Sequence, residues 1–173
     1  MLIGGGARSG KSRFALEYAE QRYTRRAFLA TAQALDDEMR ARIARHRAER
    51  GNGWTTIEEP YDIASAIEAN ADEFDVIVVD CLTLWLSNIM LDPGRETDKE
   101  MADLAGLLER DLAADVVAVT NEVGCGIVPD NPLSREYRDR AGEINQALAR
   151  AAKEVFWMVF GIPVTVKPPP RPL

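Results

Sequence analysis

Gly5-Gly6-Ala7-Arg8-Ser9-Gly10-Lys11-Ser12 fits the pattern G-x-x-x-x-G-K-[ST]. Small residues let the backbone curl so that successive N–H groups point inward at phosphate oxygens. Lys11 adds a point charge toward the β and γ phosphates, and Ser12 offers a hydroxyl to Mg²⁺. Such a loop needs a strand before it and a helix after it. Met1-Leu2-Ile3-Gly4 is a short apolar lead-in suited to a buried strand. Beyond Lys11, Phe14, Ala15, Tyr18 and Ala19 recur at helical spacing. The helix then turns its positive end toward the same anion. A glycine-rich turn without a ligand does not explain why Lys and Ser follow Gly10 in that order.

Further along, Arg26 to Ala32 reads as a second strand, and Asp36-Asp37 opens a helix that runs to about Arg50. Gly51-Asn52-Gly53 breaks it before a short strand, Trp54 to Glu58, and a helix near Pro60. Phe74-Asp75-Val76-Ile77-Val78-Val79-Asp80 is the clearest strand: a β-branched run closed by a carboxylate, as a buried parallel strand delivers one to a phosphate site. Helices are expected over Leu82–Leu91 and Asp98–Leu112. A strand over Asp115–Thr120 runs into the glycine-bearing loop Asn121 to Gly126. A long helix capped by Asn131 or Ser134 follows, then two strands around Gly161. Alternating strands and helices predict an α/β fold of P-loop NTPase type. The sheet is doubly wound and mostly parallel, with helices on both faces. Ligands in such sheets sit at the carboxyl ends of strands, so the loop, Asp80 and Asn121-Glu122 are expected to converge.

The chain has 173 residues, 46% of them apolar and 28% charged, which suits one domain over residues 1–167. Residues 168–173 form a proline-rich tail that cannot make helix or sheet hydrogen bonds. A net charge of −7 argues against a nucleic-acid partner. No apolar run reaches the length of a membrane span and no signal peptide is evident, so a cytoplasmic protein is expected. Cys81 and Cys125 have no metal-like spacing and read as small buried hydrophobes.

His46 is the single histidine. At about 100° per residue, Leu35, Met39, Ile43 and His46 fall on one helical face. That suits a half-buried histidine bonded to a neighbour. However, Arg42, Arg45, Arg47 and Arg50 surround it, and such a cluster can hold a nucleotide's phosphates. A neutral imidazole is also a competent nucleophile toward phosphorus.

Several segments together resemble the bifunctional adenosylcobinamide kinase and adenosylcobinamide-phosphate guanylyltransferase family of cobalamin biosynthesis. They are the Gly5–Ser12 loop, Ala30-Thr31-Ala32-Gln33, Asp36-Asp37-Glu38-Met39, Arg42-Ile43, His46-Arg47 and Trp54. The block Thr120 to Gly124, Gly126-Ile127-Val128-Pro129, Asn145-Gln146 and Gly161-Ile162-Pro163 completes the set. The resemblance covers nearly the whole chain. It implies phosphorylation of the aminopropanol hydroxyl of adenosylcobinamide by ATP or GTP, then transfer of GMP from GTP to adenosylcobinamide phosphate. It implies a histidine that carries GMP as a phosphoramidate, for which His46 is the candidate.

It further implies that Gly5, Gly6, Ala7, Arg8, Ser9, Gly10, Lys11 and Ser12 bind GTP. So would Ala30, Thr31 and Ala32, then Arg47, Ala48, Glu49 and Arg50, and the carboxylates Glu58 and Asp80. Ser12 and Asp80 are the candidate Mg²⁺ ligands. Relatives are homo-oligomers, often trimers. In some of them a glutamate stands at the position of Asp80, and the pair Glu58-Glu59 leaves the ligand uncertain by one residue. For the kinase step Asp80 and Glu122 are candidate general bases, with metal binding alone the other reading of Asp80 and loop fixation that of Glu122. A P-loop kinase with a structural His46 and a nucleotide-switched binding protein are the alternatives.

Overall fold

Val76–Asp80 forms β4, and its four valine and isoleucine side chains are all buried, as expected for a strand covered on both faces. The computed structural model describes residues 1–168, without the side chains of Arg42 and Glu49. The expected proline-rich tail therefore lies outside the described residues from 169 onward. In chain order the other elements are β1 (Leu2–Gly5), α1 (Lys11–Arg22), β2 (Arg26–Ala30), α2 (Asp37–Arg50), β3 (Thr55–Glu58) and α3 (Ile63–Asn70). After β4 come α4 (Leu82–Leu91), α5 (Thr97–Leu108), β5 (Asp115–Val119), α6 (Pro132–Ala151), β6 (Val155–Val159) and β7 (Ile162–Lys167).

The seven strands form one sheet in the order β3-β2-β4-β5-β1-β6-β7, and only β7 runs antiparallel to its neighbour. From β1 the chain crosses toward β2, whereas from β5 it crosses over β1 to β6. The switch point thus falls between β1 and β5, where such a sheet opens a crevice at its carboxyl edge.

Alternation along the strands divides the core. Leu2, Leu29, Ile77, Val79 and Val116 face α3, α4, α5 and α6. Ile3, Phe28, Val76, Val78 and Val117 face the other way, where Ala15 and Ala19 let α1 sit close. Helices cover both faces, four on one and chiefly α1 on the other. Two helix starts are capped as their sequences direct. Asp36 accepts from Met39 N at 2.7 Å ahead of α2, and Asn131, not Ser134, caps α6 by accepting from Ser134 N at 2.7 Å.

Two expectations need correction. Leu35 does not share a face with His46: α2 begins after it, and Leu35 is 80% exposed. Cys125 is exposed on the loop after β5, because that loop has no layer above it, while Cys81 is buried as expected. Burial and the charge of Asp80 push the Cys81 thiol above its ordinary pKa, so it acts as a packing residue.

Candidate functional site

The phosphate loop follows directly from β1. Gly5 has φ +146°, and the carbonyl oxygen of Met158 lies 2.8 Å from where a β-carbon would stand, so only glycine fits. Gly10 caps α1 in a left-handed conformation at φ +94°. Lys11 is the first residue of α1 and is buried beneath the loop. Its Nζ donates to Gly6 O at 2.6 Å and lies 3.4 Å from Ser9 Oγ. Gly6, Ala7 and Arg8 are exposed above it, with Arg8 at φ +55°, and Ser12 is half-buried. The cradle is therefore formed: exposed loop, ammonium held under it, positive helix end behind.

The strand ends line up along the same edge. Glu122 N donates to Gly5 O at 3.1 Å, which fastens the loop after β5 to the phosphate loop. The Glu122 carboxylate accepts from Gly124 N at 2.6 Å, the loop-fixing arrangement. Asp80 closes β4, level with Val119 of β5 and Ala30 of β2, and is half-buried. Ser12 and Asp80 are hard oxygen donors. The described residues hold no cluster of three or more His, Cys, Asp or Glu that would cage an ion.

Below this edge runs a hydrogen-bonded polar layer. Thr31 is wholly buried; its hydroxyl donates to Cys81 O and accepts from Cys81 N, both at 2.9 Å. Asn88 Nδ2 donates to Thr31 O at 2.8 Å and Pro60 O at 2.9 Å. Asn121 Nδ2 donates to Thr83 Oγ1 at 2.8 Å, Thr120 Oγ1 to Asn145 Oδ1 at 2.6 Å, and Asn145 Nδ2 to Asn121 O at 3.2 Å. These bonds lock the ends of β2, β4 and β5 together. Sequence reasoning missed Asn88 and Thr83. The signal was a polar residue inside the otherwise apolar run Leu82–Leu91.

The second group of candidate residues lies over β3. Arg47 Nη2 donates to Glu58 Oε1 at 3.0 Å at the carboxyl end of β3. One turn later Arg50 Nη2 donates to Thr56 Oγ1 at 3.3 Å, deeper in the strand. From these two contacts α2 extends back to its own start, about 15 Å from Arg47 to Asp37 along the helix. His46 is half-buried and Ala48 exposed. Of the described α2 side chains only Arg50 is buried; its guanidinium stacks 3.7 Å from the centre of the Phe28 ring, and its Nε has no partner among the described residues. Burial, with Arg47 adding, lowers the Arg50 pKa, and Asp80 opposes this, which places Arg50 within the field of that carboxylate. Glu59 accepts from the backbone N–H of Tyr61 and of Asp62 at 2.9 Å each, so it fixes the turn that leads into α3, while Glu58 stays exposed. Ala30 is half-buried at the end of β2 and Ala32 half-buried just beyond it.

Four inter-strand steps separate β3 from β1, about 19 Å at ordinary strand spacing. The candidate residues thus fall in two groups along the sheet: the Gly5–Ser12 loop over β1, and the Arg47–Glu58 pair over β3 with His46 next in sequence to Arg47.

The sequence matches the family model described as cobinamide kinase / cobinamide phosphate guanyltransferase over residues 1–166. It is 44% identical over 171 residues to the bifunctional adenosylcobalamin biosynthesis protein CobP of Pseudomonas aeruginosa, covering 98% of each chain. It is 40% identical over 180 residues to the bifunctional adenosylcobalamin biosynthesis protein CobU of Escherichia coli, covering 96% of this chain and 99% of that one. The CobU protein of Salmonella typhimurium is 42% identical over 181 residues. Among solved structures, a protein from Pyrococcus horikoshii OT3 studied as PH0250 superposes with a TM-score of 0.52 at 10% identity. It covers 96% of this chain and 85% of that one, and the likeness is one of fold.

Proposed function

The chain belongs to the cobinamide kinase / cobinamide phosphate guanyltransferase family, a family of transferases, and from that premise we propose two reactions run at one sheet edge. In the first, the aminopropanol hydroxyl of adenosylcobinamide attacks the γ-phosphorus of ATP or GTP. The bond to the bridging oxygen breaks and the nucleoside diphosphate leaves. In the second, an imidazole nitrogen of His46 attacks the α-phosphorus of GTP and pyrophosphate leaves. An oxygen of adenosylcobinamide phosphate then attacks the His46–GMP phosphorus, the P–N bond breaks, and adenosylcobinamide-GDP forms. Two displacements replace one encounter between two anions, and the nucleotide stays covalently held between them.

The observation that carries this reading is the preformed cradle with Lys11 buried beneath it. Its amides and ammonium neutralise the departing phosphate oxygens. Ser12 and Asp80 suit Mg²⁺, which takes one or two protein oxygens and completes its shell with phosphates and water; bound there it would supply charge neutralisation. Glu122 is committed to Gly124 N, so Asp80 is the better candidate to accept the hydroxyl proton. β3, where α2 is anchored, lies about 19 Å from β1, so the guanylyl step calls for α2 to swing inward. Two features support that motion: α2 is held to the sheet by Arg50 and Arg47 at its C-terminal end, and it stops at Gly51, φ +65°. We further propose a homo-oligomer, a trimer as in the resembling family, working in the cytoplasm without nucleic acid. The test is adenosylcobinamide phosphorylation and GMP transfer by purified protein. Turnover of the first without the second would favour a P-loop kinase with a structural His46.

A further inference from the structure

Two exposed apolar segments flank the phosphate loop, one on each side. The loop after β5 starts at Glu122, one backbone hydrogen bond from Gly5 O. Five residues on it carries Ile127, 97% exposed, and Val128, 58% exposed. Its far end is fixed by Arg135 Nη1 donating to Pro129 O at 2.9 Å and Asp130 O at 2.7 Å. On the other side the β6–β7 hairpin touches the same loop, with Gly161 N donating to Ser9 O at 3.1 Å. Its tip presents Phe160, 96% exposed, and Ile162, 65% exposed. Because β5, β1 and β6 are parallel neighbours, all three carboxyl ends open on one edge, and the two apolar tips stand astride the phosphate cradle.

Phe160 occupies its place against local preference. It has φ +52° and Gly161 has φ +81°, the left-handed pair of a two-residue type I′ turn, where asparagine before glycine is favoured and a bulky residue is strained. At 96% exposure nothing in the fold rewards an aromatic ring there. An observed outlier beside a reactive centre points to a ligand.

We propose that Ile127 and Val128 on one side, and Phe160 and Ile162 on the other, seat the acceptor substrate, gripping the apolar face of its corrin ring. This rests on the functional reading above and adds to it the residues that select the acceptor. The ring is broad and carries methyl groups between its amide side chains, so it offers apolar contact to both tips at once. Anything resting on both tips has the terminal phosphate beneath it, because each tip is tied to the loop that holds that phosphate. Pro163 supports seating on side chains over strand addition at the edge strand β7, since it removes a backbone donor there.

The test measures binding of adenosylcobinamide and of GTP to the full chain by equilibrium dialysis, with sedimentation for oligomeric state. The variants are Ile127→Ser and Phe160→Asn, with Leu91→Ser, exposed at the far end of α4, as control. Each of the first two is expected to weaken adenosylcobinamide binding about tenfold while GTP binding and assembly stay as in the wild type. Phe160→Asn is expected to melt about 2–4 °C higher, since it relieves the turn while harming the site. Unchanged adenosylcobinamide affinity in either variant overturns the proposal. So does a loss shared with GTP, or a loss that accompanies dissociation of the oligomer, which would make the tips a contact between copies. A wild-type protein with no affinity for adenosylcobinamide removes the functional reading and this inference together.

Discussion

Lys11 concentrates the chemistry of the cradle in one atom. Its Nζ is buried at the loop's centre, 2.6 Å from Gly6 O. Lys11→Met keeps the stem and removes the charge. Steady-state kinetics are expected to show kcat/KM for both transfers reduced by about 10² to 10³, with the far-UV circular dichroism spectrum retained. The pair Glu58-Glu59, adjacent in sequence, differs in its partners. Glu59→Ala removes the two hydrogen bonds that fix the turn before α3 and is expected to cost about 1 kcal/mol, lowering Tm by about 2–4 °C. Glu58→Ala breaks only an exposed pair with Arg47, so thermal melting should show a shift under about 2 °C while GTP use falls. The reverse pattern would move the nucleotide role to Glu59. Sequence named the lysine because its spacing is dictated by phosphate geometry. It favoured Glu58 over Glu59 only by spacing from Trp54, since what each carboxylate bonds depends on where β3 ends.

At the level of elements, the buried strands were legible and α2 was only half so. β4 announces itself because a strand covered on both faces must be apolar throughout. The start and stop of α2 were also readable, from Asp36 and Gly51. Its face was readable too, since Met39, Ile43 and His46 are all half-buried; its anchor was not, because the one buried side chain among those described is Arg50 at the C-terminal end. Helical periodicity says which residues share a face, not whether another layer stands opposite. α6, by contrast, is packed on α4. Its Tyr137 donates to Thr83 O at 2.9 Å, and burial, with Cys81 adding, pushes the phenol up to about 12 from 10.0. The folded chain holds this proton more tightly than the unfolded one. The stabilisation is therefore full below pH 10 and is lost as pH rises toward 12. Tyr23, raised by burial and its bond to Asp115, acts in the same sense. Urea midpoints measured between pH 9 and pH 11.5 should fall less steeply in Tyr137→Phe than in the wild type, on the order of one proton less. An identical slope would mean that Tyr137 is solvated.

Across the whole molecule, the sheet sorts the work. A strand order with its switch beside β1 gathers the phosphate loop, Asp80 and the loop after β5 on one edge, as the alternation of elements in the sequence implied. The sequence could not place His46 relative to that cradle, because their separation depends on strand order and not on chain distance. Three strands lie between β3, where α2 is anchored, and β1, about 19 Å at ordinary strand spacing, so the proposed guanylyl step calls for α2 to move. The most direct test is incubation of the purified protein with Mg²⁺ and GTP labelled at the α position, without corrinoid. The account predicts label that remains on the wild-type protein, survives alkali, is released by acid, and is absent from His46→Ala. Equal labelling of His46→Ala, or none in a wild-type protein that turns over adenosylcobinamide phosphate, would contradict it.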